Sequence, residues 1–474
     1  MIFLAERYAY LRKDLTDYLR IFDGNVDRPV TVEISEGAKI GVSVRTGETN
    51  RAYFFDAPDF FESDALRKKR LVKRFAMASV YRVMKELTGI RLPYGAFTGI
   101  RPTKQYYQIL QEGGDVDAFF LDFLDFEPSK YRLVRDIVAA QGGVYDPAPN
   151  NLDVYVGIPF CRGRCSYCSF VSCDITRAGE WETPYVDALI REIEGGRRAL
   201  AGTDWRLRAL YVGGGTPSAI SRPNIRRVLE AMKGFGAPAG TEFTFEAGRP
   251  DSIDEELLDL LAAYGVTRVS VNPQSANDRT LAEIGRAHTF EEVVRKFEIV
   301  KKYPFAVNMD LIMGLGSEGL AEFSHSVESV AALSPDNVTV HALALKKGSR
   351  LKEEAHGHIS PEIGERMSEC AEQTLRGAGY LPYYLYRQKY SVGNLENAGY
   401  AKPGRICVYN VDNMEETASV LAFGANAISK RIFSDREAIL RLASPKDLPS
   451  YLGKIDKIIS DKSAFGGGFH EIQP

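Results

Sequence analysis

The chain has 474 residues, 45% of them apolar and 26% charged, which is ordinary globular composition and enough length for two or three domains. Lysine plus arginine (60) nearly balance aspartate plus glutamate (63), so the net charge of −3 carries no basic excess of the kind a nucleic-acid partner selects. Six cysteines, four of them within residues 161–173, are not spread like a secreted disulfide framework, and no apolar run approaches the ~18 residues of a membrane span; the expectation is a reduced, cytoplasmic protein without a membrane span.

In chain order, a charged helical stretch is predicted from Glu6 to Ile21. Alternating segments follow at Val30 to Ile34 and Ile40 to Val44, with a further strand at Ala52 to Phe55. Helix is predicted from about Phe60 to Leu87; its basic run, Arg67 to Arg70 with Lys73 and Arg74, reads as a solvated face or an anion-binding one. Asp146 to Asn151, with two prolines and two asparagines, disfavours both helix and ladder and is the predicted linker. Beyond it short β-branched runs alternate with amphipathic ones, the pattern of βα units around a parallel sheet. Strands are predicted at Asp153 to Ile158, Leu207 to Val212, Glu242 to Glu246, Arg268 to Val271, Ala306 to Ile312 and Asn337 to Leu343. The helices between them run Tyr185 to Leu200, Ile225 to Lys233, Glu255 to Tyr264, Phe290 to Lys302 and Leu320 to Leu333. Unusual residues cluster just after the strands, where α/β folds bind ligands.

The first such cluster holds Cys161, Cys165 and Cys168 in a loop with Gly163. Three thiols at this spacing can face one metal centre. A structural zinc site takes four ligands and no histidine is near in sequence, whereas three protein thiolates on a four-iron cube leave one iron open. Zinc with a distant fourth ligand from Cys370 or Cys407, or cysteines merely packed in a loop, is the alternative. After the second predicted strand, Gly213-Gly214-Gly215-Thr216-Pro217 lets backbone amides approach a ligand, although a tight strand-to-helix turn accounts for the glycines as well. Glu246 ends the third strand, Gln274 follows the fourth, and Arg286 lies in Ile284 to His288. Asp310 sits inside an apolar strand, where a carboxylate needs a partner to offset burial.

The CxxxCxxC loop after a first strand resembles the cluster motif of radical S-adenosylmethionine (SAM) enzymes. The strings YVGIPFCxxxCxYCSF, GGGTP, EAGRPD, SVNPQS, IGRAHT and NMDLIMGL resemble, in that order, its oxygen-independent coproporphyrinogen III oxidase-like branch. Leu92 to Lys104 is similar to the amino-terminal domain of the subgroup called HemZ, coproporphyrinogen dehydrogenase, and the match continues through Gly393 to Gly404 and Leu421 to Ala427. The resemblance implies an α/β fold: a partial (β/α)6 radical SAM barrel over residues 151–350, with an added N-terminal α+β domain (1–150) and a C-terminal HemN-like extension (351–474). It implies a 4Fe-4S cluster on Cys161, Cys165 and Cys168, and SAM held by Tyr155, Tyr167, Gly214, Gly215, Thr216, Glu246, Gln274, Arg286 and Asp310. SAM cleavage to a 5′-deoxyadenosyl radical, and oxidative decarboxylation of coproporphyrinogen III propionates to vinyls, follow from it. So do a tetrapyrrole substrate and a flavodoxin- or ferredoxin-type electron donor.

Arg249, Arg387, Lys389, Lys402 and Arg405 are candidate propionate cations, and tyrosines 383, 384, 386, 390 and 400 candidate faces for a tetrapyrrole; core packing and solvation are the alternatives, and no residue is assigned as catalytic. The sequence departs from the family twice. Phe170 stands where the oxidases resemble CxxxCxxCxC, with Cys173 five residues after Cys168. Tyr409 to Met414 stands where the haem-carrying relatives resemble HNxxYW. A haem carrier that keeps the cluster, or an enzyme modifying another tetrapyrrole, is therefore the alternative function.

Overall fold

The computed structural model describes residues 2–22, 28–58, 61, 64–169, 172–344, 359–388, 395–433 and 438–466. The chain forms two compact units, Met1–Arg135 and Asp136–Pro474. In the first, β1 (Ile2–Leu4), β2 (Val30–Ser35), β3 (Lys39–Thr46) and β4 (Thr49–Asp56) make a mixed sheet in the order β1-β2-β3-β4, parallel only at β1-β2. The alternation of Val30, Val32 and Ile34 with polar residues buries one face of β2. The helix Ala65–Thr88 begins at Asp64, whose carboxylate accepts from the amides of Leu66 and Arg67, and stops at Gly89 with φ +69°. Its basic run is engaged within the unit: Lys68 pairs with Glu36 at 2.9 Å, Arg67 with Glu112 at 3.3 Å and Lys73 with Asp14 at 2.5 Å.

The second unit carries β5 (Asn151–Ile158), the short pair β6 (Phe160–Cys161) and β7 (Cys173–Asp174), then β8 (Arg206–Gly214), β9 (Glu242–Gly248), β10 (Arg268–Val271), β11 (Ala306–Met313) and β12 (Asn337–Ala342). β5, β8, β9, β10, β11 and β12 lie side by side in that order, all parallel. Each crossover adds its strand on the same side. With right-handed crossovers this puts the intervening helices on one face and frees the other for a site.

Period-two alternation divides the residues between the faces. Val154, Val156, Val212, Met309, Leu311, Val338 and Val340 are buried, while Tyr155, Tyr211, Asn308, Asp310, Thr339 and His341 line a cavity. Asp310 thus stands inside an apolar strand because only its alternate neighbours meet the core.

The predicted linker is not loose. Arg206 and Arg208 both reach Asp146, and Asn151 is buried with its amide on the Asp146 carbonyl. The division of the chain lies ahead of it, at Arg135. The carboxy-terminal strands also join the same sheet. β13 (Leu381–Arg387) and β14 (Glu396–Ala401) extend it antiparallel beyond β12. β15 (Ser419–Phe423) adds parallel to β5, and β16 (Ile428–Phe433) and β17 (Ala438–Ala443) follow it, making eleven strands among the described residues. No helix among the described residues is long and apolar enough to cross a membrane.

Candidate functional site

The parallel strands end on one cavity of about 780 Å³, and every residue named above for the cluster or for SAM lines it. Cys161 ends β6; Cys165 is buried and Cys168 partly so. The cysteine loop is fixed by backbone: Cys168 N–H donates to the Cys165 carbonyl at 3.1 Å and Ser166 N–H to the Ile284 carbonyl at 3.0 Å. Cys173 pairs across the ribbon with Phe160, Asp174 pairs with Cys161, and the cavity wall includes Ser172 but not Cys173. Cys370 bonds Ser324 at 3.1 Å and Cys407 the Glu242 carboxylate at 3.1 Å, and neither lines the cavity, so the zinc alternative lacks its fourth ligand there. Among the described residues no three His, Cys, Asp or Glu groups converge on a single ion.

The glycine turn is pressed against the cysteine loop. Gly215 N–H donates to the Ile158 carbonyl and Thr216 N–H to the Phe160 carbonyl, at 2.8 and 2.7 Å, and Thr216 Oγ1 donates to Cys161 Sγ at 3.5 Å. A Cβ on Gly215 would stand 2.6 Å from the Phe160 carbonyl and 2.9 Å from Cys161 Sγ. Gly214 is left-handed, with φ +111°, a conformation that a side chain would strain.

The charged groups are spread around this turn. Burial pushes the pKa of Glu246 up to about 7 and the Asp310 charge adds to that, while the Tyr211 hydroxyl and Gly214 amide donate to the carboxylate and oppose it. Asn308 Nδ2 donates to Asp310 at 2.8 Å, and His341 Nε2 lies 4.0 Å from Asp310. Arg286 donates to the Asn272 carbonyl at 2.9 Å and to the Tyr167 hydroxyl at 3.2 Å. Burial opposes its charge, but Tyr167 and Cys165 outweigh burial and raise its pKa.

Gln274 holds a left-handed backbone, φ +69°, and is stitched to β11 by Gln274 N–H to the Asp310 carbonyl and Ile312 N–H to the Gln274 carbonyl. A non-glycine residue pays about 1–2 kcal/mol there, and such outliers gather at binding sites. Tyr155, Tyr211 and Tyr409 stack in turn, Tyr211 and Tyr409 with centroids 4.3 Å apart.

The substrate candidates divide. Arg249 lines the cavity but is held by both oxygens of Asp251 at 3.0 Å. Lys402 and Arg405 lie at the opposite, amino ends of the strands, on Ser334 and Asp336, because Ala401 pairs with the first residue of β12. Arg387 ends β13 outside the cavity wall. Tyr384 and Tyr386 line the cavity, whereas Tyr383 and Tyr400 are core residues. Phe170, Lys389, Tyr390 and Gly393 with Asn394 lie outside the described residues. Sequence reasoning passed over Tyr211, Asn308, Thr339, His341 and Asn413. Alternation along β8, β11 and β12 could have found the first four, but Asn413 follows only from where its helix lands.

The wall fits the pair of groups implied by the cysteine motif. Gly215 leaves room beside Cys161, and Ser270 Oγ and Asn272 Oδ1 are buried in the same wall without a protein partner, as polar groups awaiting a polar ligand are.

Comparison with known proteins agrees. Residues 155–330 match the radical SAM superfamily. The oxygen-independent coproporphyrinogen-III oxidase-like protein HemZ of Bacillus subtilis is 35% identical over 92% of this chain and 87% of its own length. The oxygen-independent coproporphyrinogen III oxidase of Paracoccus denitrificans is 31% identical over 52% of this chain and 54% of its own. The solved structure of coproporphyrinogen III oxidase HemN from Escherichia coli, a radical SAM enzyme, covers 68% of this chain and 72% of its own, at 23% identity and a TM-score of 0.53, which speaks for the fold. With a relative 35% identical along 92% of its length, the chain belongs to the radical SAM superfamily, in the group of HemZ-like oxygen-independent coproporphyrinogen oxidase relatives.

Proposed function

We propose that this protein is a SAM-cleaving, four-iron cluster enzyme that oxidatively decarboxylates propionates of coproporphyrinogen III to vinyls in the reducing cytoplasm. A flavodoxin- or ferredoxin-type donor is its electron source. Radical SAM membership implies the 4Fe-4S cluster and SAM. When bound, the reduced cluster and SAM supply one-electron chemistry able to take a hydrogen atom from an unactivated carbon.

The observation that carries the reading is the meeting of the cysteine loop, the glycine turn and two carboxylates on one cavity at the carboxyl ends of the parallel strands. Cys161, Cys165 and Cys168 would hold the cluster, and three protein thiolates would leave one of its irons open to SAM. Gly214, Gly215 and Thr216 offer backbone to the methionine end of SAM, Glu246 and Asp310 accept ribose hydroxyls, and Gln274 and Arg286, beside Tyr167, meet its remaining polar edges. The six parallel strands are read here as a (β/α)6 part-barrel, whose inner face would shield reacting atoms from water. The Tyr155, Tyr211 and Tyr409 stack gives the substrate ring an apolar wall.

Anaerobically reconstituted protein given SAM, a reductant and coproporphyrinogen III is expected to yield 5′-deoxyadenosine and the divinyl product, read by mass. Stoichiometric haem binding with no product would sink this reading in favour of a carrier. A product with an added methyl group would move the reaction to another class.

A further inference from the structure

His341, at the end of β12, lines the cavity beside Asn397 of β14. Asn397 is 1% exposed; its Oδ1 accepts from Ala342 N–H at 3.1 Å and its Nδ2 donates to the Tyr386 carbonyl at 3.2 Å. Those two backbone contacts fix which end of the amide is oxygen. His341 Nδ1 lies 3.3 Å from that oxygen. An amide oxygen can only accept, so Nδ1 carries the ring proton, and the lone pair of the neutral imidazole stands on Nε2.

Nε2 faces Asp310 Oδ2 at 4.0 Å, which is beyond a hydrogen bond, and a carboxylate oxygen is itself an acceptor. Asp310 is set by a chain of donors on the same sheet face: Thr339 Oγ1 donates to Asn308 Oδ1 at 3.2 Å, and Asn308 Nδ2 to Asp310 Oδ1 at 2.8 Å. Two acceptors therefore look into one space, and a ligand that fills it must bring the donors. In the reading above, the SAM hydroxyls go to Glu246 and Asp310. His341 sits at the far edge of the parallel strands from β5 and its cysteine loop, next to Tyr384 and Tyr386, whose rings line the same part of the wall. That places it on the side left for the substrate. A porphyrinogen carries an N–H on every pyrrole, and its saturated bridges let the rings tilt and turn these donors to one face. The oxidised, planar porphyrin keeps N–H on only half its nitrogens, turned into the ring centre.

We infer that His341, its tautomer locked by Asn397, is a specificity-determining residue whose Nε2 accepts a pyrrole N–H, so that the cavity selects the reduced porphyrinogen over the oxidised porphyrin. The inference rests on the tetrapyrrole reading above and names the side chain that reads the oxidation state of the ring.

The test is an anaerobic titration of the full chain. Fluorescent coproporphyrin III is bound directly, and colourless coproporphyrinogen III is measured by displacing it. Both carry the same propionates, so their difference reports the ring alone. Leaving a ligand N–H unpaired in a closed site weakens binding by about tenfold. Wild type is expected to prefer the porphyrinogen by about tenfold. His341→Phe, which keeps a flat ring without an acceptor, is expected to lose that preference, while its coproporphyrin III affinity stays within twofold of wild type and so reports an intact cavity. His341→Gln, whose amide oxygen reaches about as far as Nε2, is expected to regain most of it; a merely structural role for His341 would not separate the two ligands. A His341→Phe protein that keeps the wild-type preference overturns the inference, as does wild-type protein that binds both forms alike. Wild-type protein that takes up neither overturns the tetrapyrrole reading itself, a different failure from loss of discrimination at His341.

Discussion

Replacing Lys462 with methionine isolates a charge in the interior. Lys462, on the carboxy-terminal helix, is 1% exposed and donates to Glu192 and to the Ala422 carbonyl. Glu192, on the helix between β5 and β8, is completely buried; it also accepts from Gly424 N–H at 2.8 Å and Tyr451 hydroxyl at 2.5 Å. Gly424 starts the β15–β16 turn, and its next residues line the cavity. Burial lowers the Lys462 pKa, and the Glu192 carboxylate opposes that shift.

Methionine fills the place of the lysine stem but leaves Glu192 an uncompensated buried charge, which costs about 3–5 kcal/mol. The unit spans about 340 residues. At roughly 2.1 cal/mol/K of unfolding entropy per residue, that loss lowers its Tm by about 4–7 °C. Glu192→Gln with Lys462→Met removes both charges and leaves Gln able to accept from Gly424, so it is expected to recover at least half of the loss. The assay is a thermal melt of cluster-free wild type, both single variants and the double variant at one pH. A Lys462→Met shift under about 1 °C, or a double variant losing the full sum of the singles, refutes the idea that the pair acts as one neutralised unit.

Gly215→Ala places a methyl against the Phe160 carbonyl and Cys161 Sγ, neither of which can swing away; SAM affinity by equilibrium dialysis is expected to fall about tenfold or more. Cys161→Ala, Cys165→Ala or Cys168→Ala is expected to abolish the iron–sulfur absorption, while Cys173→Ala, outside the cavity wall, keeps it; the reverse pattern would displace the proposed ligand set. Glu246 has a folded pKa raised to about 7, so between about pH 4.5 and 7 the folded state binds more protons than the unfolded, and stability falls as pH rises through that window. The Tm of cluster-free Glu246→Gln relative to wild type is therefore expected to climb from pH 5 to pH 8, and a flat difference would mean that the carboxylate is not burdened by burial.

The order of βα units was legible because each strand is an apolar run between turn residues, and all six predicted parallel strands appear within a few residues of their expected ends. Local motifs were legible for a related reason. CxxxCxxC and GGGTP are marked by spacing and missing side chains, which a sequence displays directly. The propionate cations were not. Lys402 and Arg405 sit close in sequence to family motifs, yet the antiparallel return of β14 carries them to the amino ends of the strands, away from the cavity.

The sequence by itself singled out the cysteine loop and the glycine turn that meet at the cavity, and in what order the strands follow, since periodicity and motif spacing are properties of neighbours along the chain. Only the tertiary structure decided that β15 lies beside β5 and brings the turn after it into the cavity wall, that Lys430 reaches Asn413, and that Glu192 finds Lys462. Those partners are separated by 17 to 270 residues, and a single amide or ammonium carries no local mark of the group it will meet. Its role is set by burial, which removes water as the alternative partner and makes the distant one necessary.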